Sequence, residues 1–341
     1  MRAAVLVLSL LLFAALTSAG HIPEEPSAAK EPIEVRIALQ LDQISGVDQK
    51  AENFSIVGNF MMGWNDPSYA FDPVACGCDE KVFNARQFED YARNNELQWP
   101  QFIFYNQQGN RWIQERIFEV KHDGDVIYFE RFSATLQAPD FDFLHYPFDT
   151  QKFSAHIVSL FKDNEYFFVA DPDYNRMGRK LGEEEWLIGH YRTAVESIVL
   201  GRKAKHSRFT YTFSAKRHVD YYINRIFLPL FLIIMVAYAT FFMKDYAKRV
   251  DYSAANLLTF VMFNFAIGSD LPRLGYLTFV DSILVMGFVI TAVTVIANVA
   301  QKRLAVMGKE DVARRWDGVI LFGYPILYVI GLGFSYFKFF R

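Results

Sequence analysis

The chain has 341 residues, 52% of them hydrophobic and 17% aromatic, with a formal net charge of -3. This argues against a nucleic-acid binder, because neutralising phosphates takes a basic surface. Two cysteines, Cys76 and Cys78 in "ACGCDE", are too few for a disulfide scaffold; they read as incidental thiols of a polar loop, an intersubunit bridge being the alternative.

At the N-terminus Arg2 precedes an apolar run from Ala3 to Leu16 and the small residues Ser18, Ala19 and Gly20. This is the layout of a secretory signal peptide, expected over residues 1–20, and it predicts export of the polypeptide beyond Gly20. From Pro32 to about Lys216 the chain alternates apolar and polar residues, as in "IEVRIALQLDQI", "VIYFERFSATLQ" and "RFTYTFSAK". Such period-two segments are half-buried strands. Turn clusters such as "NQQGN" and "KHDGD" separate them. An antiparallel, immunoglobulin-like β-sandwich is expected over residues 21–218, with one helix near "NARQFEDYARNNE".

Residues 219–341 change solvent. Ile226 to Met243, Phe279 to Ala300 and Gly318 to Phe337 are apolar enough to cross a bilayer of about 30 Å. Between the first and second of these lies "DYSAANLLTFVMFNFAIGSD", a weaker span broken by Ser253, Asn256, Thr259 and Asn264. Polar groups there are costly against lipid but suit an aqueous path. Four helices are expected, at about 221–243, 251–269, 276–302 and 315–339. Lys244, Lys248 and Arg249 join the first pair, and Lys302, Arg303, Lys309, Arg314 and Arg315 flank the last connection. Both basic links belong inside, which puts the C-terminus outside with the sandwich, in a multi-pass protein of the cell (inner) membrane surrounded by lipids.

Family-specific residues stand at the middle of the chain. "PDFDFLHYPFDTQKF" holds Tyr146-Pro147-Phe148-Asp149 and Gln151; "WND" begins at Trp64, "EWLI" at Glu185, "SDLPRLGY" at Ser269, and Arg217 precedes Pro229 by twelve positions. Together these resemble a prokaryotic pentameric ligand-gated ion channel of the Cys-loop receptor superfamily. Pro139 and Phe153 occupy the positions of the two cysteines that close the loop in other members. The resemblance implies a homopentamer, a sandwich that binds a small ligand, and a membrane bundle that conducts ions. It places the loop at the base of the sandwich, with Asp149 offered to Arg217 and Asp48, and with Pro147, Pro272 and Arg273 in the same coupling region.

The pore reading combines spacing with the resemblance. Asp251, Ala255, Leu258, Met262, Phe265 and Ser269 recur at steps of four and three and share one helix face. The family register makes these the pore lining. Five copies would turn Leu258, Met262 and Phe265 into apolar rings that close by dewetting, and Asp251 into a carboxylate ring favouring monovalent cations. Lys248 and Arg249 argue the other way, so an anion-selective channel is the alternative.

The ligand pocket implied by the family departs from its aromatic cage: Tyr105 is kept, whereas Phe161, Asn59 and His206 stand where other aromatics are usual, and Tyr211 completes the set. The capping segment "GRKAKHSR", with Arg202, Lys203, Lys205 and Arg208, would repel an ammonium ligand. A carboxylate-bearing agonist or protons are therefore as well suited as an amine. No cofactor is expected, and no enzyme: the seven histidines are scattered, and no metal cluster, nucleophile elbow or phosphate loop occurs. A non-conducting, membrane-anchored sensor is the remaining alternative.

Overall fold

The computed structural model describes residues 31–179, 181–182, 185–201, 203–268 and 274–341. The expected signal peptide, Ser269, Pro272, Arg273 and Arg202 of the capping segment lie outside these residues.

Eleven described strands form two sheets. They are β1 (Ile33–Asp48), β2 (Asn53–Asn65), β3 (Glu80–Asn84), β4 (Phe102–Phe104), β5 (Gln107–Lys121), β6 (Asp125–Gln137), β7 (Thr150–Ser159), β8 (Tyr166–Ala170), β9 (Arg176–Met177), β10 (Trp186–Leu200) and β11 (Ala204–Arg217). The larger sheet runs β3-β5-β6-β2-β1-β8 with β9 also on β1, and the smaller runs β10-β11-β7-β4. Pairing is antiparallel except where β8 and β9 lie parallel to β1, a departure from the expected all-antiparallel sandwich. β8 returns to β1 from β7 of the other sheet, and β9 follows β8 onto the same strand, so neither is bound to β1 by a hairpin.

Alternation selects the core. In β6, Val126, Tyr128, Phe132 and Leu136 point inward; in β11, Phe209, Tyr211 and Phe213 do so. Phe54, Phe153 and Phe213 meet between the sheets at ring distances of 5.1 to 6.0 Å, which fixes the lower half of the sandwich through aromatic packing. Helix α1 (Ala85–Asn94) opens on a capping box in which Asn84 and Gln87 each accept the other's backbone N–H.

Cys76 and Cys78 are not free thiols. They are joined to each other across Gly77, which adopts the left-handed conformation that so tight a turn requires. The loop around them is exposed, as its polarity suggested. The bond within it arises because a helical turn, Pro73–Cys76, ends there and folds Cys78 back onto Cys76.

Among the described residues four further helices are long and apolar enough to cross a membrane: α2 (Val219–Phe242), α3 (Tyr246–Gly268), α4 (Phe279–Val306) and α5 (Glu310–Phe340). Within α2, Ile223–Phe227 is wound as a π turn. Pro229 has no N–H to return to the preceding turn and crowds its carbonyl, so the ladder ahead of it widens. Helix α3 begins five residues before the expected start because Asp245 caps it, accepting from Ala247 N and Lys248 N at 2.9 and 3.3 Å. A Cβ on Gly287 of α4 would meet the Phe260 ring at 3.0 Å, so the bare glycine is what lets α3 seat Phe260 against α4.

Candidate functional site

Arg217 ends β11 one residue before α2 and is 1% exposed. Its Nε donates to Asp149 Oδ1 at 2.7 Å, and its Nη1 donates to Glu185 Oε1 and Tyr222 Oη at 3.1 Å each. Tyr222 Oη and Gln49 Nε2 also donate to Glu185 Oε1, at 2.6 and 2.9 Å. The guanidinium lies over the Trp186 and Tyr146 rings, 4.2 and 4.7 Å from their centroids. Burial alone would lower its pKa, but the hydrogen bond and charge of Asp149 outweigh that and carry it upward.

Asp149 is held from the other side by Gln151, whose Nε2 donates to Asp149 Oδ2 and, at 2.7 Å, to the Asp142 carbonyl. The Gln151 amide thereby pins both arms of the loop together, a closure that needs no disulfide. Pro147 is buried in the loop, after a cis peptide bond. Asp48 does not reach Arg217. It accepts from Lys50 N and Ala51 N at 3.0 Å, closing its own turn, and the residue that this turn sends to the junction is Gln49. The second acid of the site is Glu185.

The loop also rests on the membrane bundle. Phe279 N, in the first turn of α4, donates to the Leu144 carbonyl at 3.0 Å, and Phe143 N donates to Tyr276 Oη at 3.2 Å. The Phe148 ring stands 5.9 Å from Phe279 and 6.2 Å from Phe227 and Phe340. Arg217, Asp149, Glu185 and Phe148 thus join the sandwich to α2, α4 and α5.

Along α3, Asp251, Ala255, Leu258, Met262 and Phe265 are all exposed on the single subunit, with Phe265 at 78%. The opposite face, with Arg249, Ser253, Asn256, Phe260 and Ile267, is buried. Two of the polar groups that suggested an aqueous path therefore point the other way. Ser253 Oγ donates to the Val250 carbonyl at 3.1 Å and Asn256 Nδ2 to the Ile233 carbonyl of α2 at 3.2 Å. Arg249 is likewise turned inward and pairs with Asp317 of α5 at 2.5 Å, leaving Lys248 as the exposed base beside Asp251.

Of the expected pocket, three residues gather around the end of β7. Tyr105 is 54% exposed and its N–H donates to the His156 carbonyl at 2.7 Å. His206 Nδ1 donates to the Ser159 carbonyl at 3.1 Å, and Phe161 N donates to Ser159 Oγ at 3.2 Å. Asn59 lies on the larger sheet, where it donates to Asp42 Oδ2 at 3.0 Å and accepts from Arg131 at 3.2 Å. Tyr211 is buried: its ring stacks on Tyr191 at 4.9 Å and its hydroxyl donates to the Arg176 carbonyl at 2.9 Å. It offers nothing to a ligand, because strand alternation sends position 211 into the core.

Sequence reasoning overlooked a charged cluster inside the sandwich. Glu130 is fully buried and accepts from Tyr128 Oη at 2.5 Å, with Arg111 Nε at 3.0 Å. A lone acid on the inward face of "VIYFERFSATLQ" was the signal that could have found it.

Residues 12–224 match the family model for the neurotransmitter-gated ion-channel ligand binding domain. Well over half the chain is covered, and the chain belongs to this family of ligand-gated ion channels. It is similar, at 26% identity over 92% of its length and 86% of the relative's, to a proton-gated ion channel of Gloeobacter violaceus. It is also similar to the gamma-aminobutyric acid receptor subunit rho-2 of Mus musculus, at 20% identity over 84% of the chain, and to a gamma-aminobutyric acid receptor subunit beta-like protein of Drosophila melanogaster, at 24% over 77%. The chain spans 61% and 55% of those two receptor subunits. The family is not one of enzymes, and pentamers are typical of it. The protein is a multi-pass membrane protein whose β-sandwich is the extracellular ligand-binding domain.

Proposed function

We propose that five copies of this chain enclose a cation pathway lined by Asp251, Ala255, Leu258, Met262 and Phe265, and that a fall in external pH opens it. The observation that carries this reading is the stripe on α3: four apolar side chains and one carboxylate left uncovered on the face opposite the packed one. In a ring of five, Leu258, Met262 and Phe265 would exclude water at rest, and Asp251 would set a negative field at the inner end. Burial of Arg249 against Asp317 favours cations over anions, since it removes one of the two bases that would oppose Asp251.

Protons are favoured as the signal for two reasons. The relative from Gloeobacter violaceus, matched over most of both chains, is proton-gated. Of the expected cage, Asn59 lies on the larger sheet and Tyr211 in the core, which leaves Tyr105, Phe161 and His206 without the full set of rings that would hold an amine. Two groups of the sandwich carry displaced proton affinities. Burial and Arg208 hold the His156 imidazole below the usual histidine range, while burial and the adjoining Glu80 carboxyl push Glu119 above the usual carboxylate range.

Voltage-clamp recording in oocytes tests both parts. Stepping external pH downward is expected to evoke currents whose reversal potential follows sodium, and Asp251→Lys is expected to move it toward chloride. Currents that follow chloride in the unaltered protein would refute cation selectivity. Currents evoked by amines or carboxylic acids at constant pH, with none on acidification, would refute the proton trigger.

A further inference from the structure

Arg249 stands in the first turn of α3, two residues before Asp251 and about 200° around the helix from it. All five of its N–H donors are matched. Nε donates to the Met243 carbonyl at 2.5 Å and Nη2 to the Phe241 carbonyl at 2.9 Å, both at the end of α2. Nη1 donates to Gln301 Oε1 of α4 at 3.3 Å. The remaining two donors meet Asp317 of α5 as a fork, Nη1 to Oδ1 at 2.5 Å and Nη2 to Oδ2 at 3.3 Å. Asp317 is oriented in turn by Gln301 Nε2 at 2.8 Å and Tyr246 Oη at 3.1 Å. One guanidinium thus ties together the inner ends of all four helices.

Within this knot Asp317 is the counter-charge, and every other acceptor is neutral. A fixed positive charge left without its anion inside a helix bundle is strongly disfavoured, and a long arginine side chain has another course: it extends to the nearest water. That water is at the inner mouth, because Arg249 lies in the terminal turn of α3. Two residues of helix rise place it only about 3 Å along the axis from the Asp251 level. Released there, five arginines would compensate five aspartates.

We propose that Asp317, on the last helix and outside the pore-facing stripe, is a positioning residue for ion selectivity: by holding Arg249 away from the inner mouth it leaves the Asp251 ring uncompensated. The proposal rests on the reading of α3 as the pore helix. It assigns to Asp317 a part in discrimination that acts wholly through Arg249, with no contact to the permeating ion.

The test compares sodium-to-chloride permeability ratios, from reversal potentials in salt-dilution series, for D251N, D317N, R249Q and the R249Q/D317N pair. D317N is expected to lower the ratio by on the order of threefold or more. R249Q is expected to keep or raise it, and the double variant to return it to the starting value, because no arginine is left to move. A merely structural role for Asp317 predicts the reverse pattern, in which the double variant is at least as impaired as D317N. An unchanged ratio in D317N, or a double variant that stays low, overturns the proposal. Should D317N alone fail to reach the surface by biotinylation, the double variant decides: currents of normal ratio support the proposal and silence overturns it. D251N separates the two readings. If it alters the ratio while D317N does not, the pore helix stands and the role of Asp317 falls; if D251N alters nothing, the pore reading falls and takes this one with it.

Discussion

Arg217 Nε and Asp149 Oδ1 lie 2.7 Å apart, with both side chains removed from solvent, at the point where the sandwich meets the membrane bundle. Such a pair is weak evidence for stability when compared with an apolar replacement, but breaking it by removing one partner leaves a buried charge. Asp149→Asn is expected to cost about 3–5 kcal/mol, softened by the second acid Glu185, and to lower the thermal midpoint of the detergent-purified protein clearly. Midpoint and acid-evoked current both equal to those of the unaltered protein would show that the pair neither holds nor couples the domains.

The apolar rings proposed on α3 make a separate prediction. Leu258→Ser substitutes hydroxyls for one exposed apolar position and is expected to wet the constriction, giving a standing current at neutral pH that the unaltered protein lacks. Recording at constant neutral pH checks it. A closed baseline in the variant would move the gate elsewhere on the helix.

His156 predicts a pH dependence with a definite sign. Its imidazole is depressed by burial and by Arg208, and its Nδ1 shares a hydrogen bond with Thr210 Oγ1 at 3.0 Å. The unfolded chain, with a histidine pKa near about 6.5, takes up the proton first, so this contribution is intact above that pH and is lost as pH falls toward the depressed folded value. His156→Gln should flatten the fall of the thermal midpoint over that interval while changing it little at neutral pH. An equally steep profile in the variant would assign the acid sensitivity to other groups.

The Cys76–Cys78 bond spans one intervening residue on an exposed turn. Cross-links restrict the unfolded chain in proportion to the logarithm of the loop they close, so this one contributes little to global stability. Reduction and alkylation should add two labels per subunit and shift the thermal midpoint by no more than about 2 °C. A drop of many degrees would mean that the turn supports the sandwich beneath it.

Much of this architecture was legible in the chain because it rests on short-range periodicity. Alternation in "VIYFERFSATLQ" marked β6, and apolar runs marked the four helices whatever their neighbours. What escaped depends on pairings distant in sequence. Glu185, not Asp48, meets Arg217, because β10 and β11 form a hairpin whose register, shifted by one between Ile188 and Tyr191, sets Trp186 against Arg217; read outward from Gly201 without that shift, the hairpin would set Leu187 there. Hydrophobicity located the middle of α3 but missed its start, which Asp245 announces as a cap. The polarity of Ser253 and Asn256 was visible, whereas its direction was not: both satisfy carbonyls inside the bundle, and composition does not distinguish that from facing water.

The bond from the Phe279 amide to the Leu144 carbonyl spans the two domains through main-chain atoms alone. Peptide groups are the same at every position save proline, so this strut survives almost any exchange of side chains on either side of it. Pockets and filters built above and below can be rewritten by substitution while the mechanical link between them stays in place.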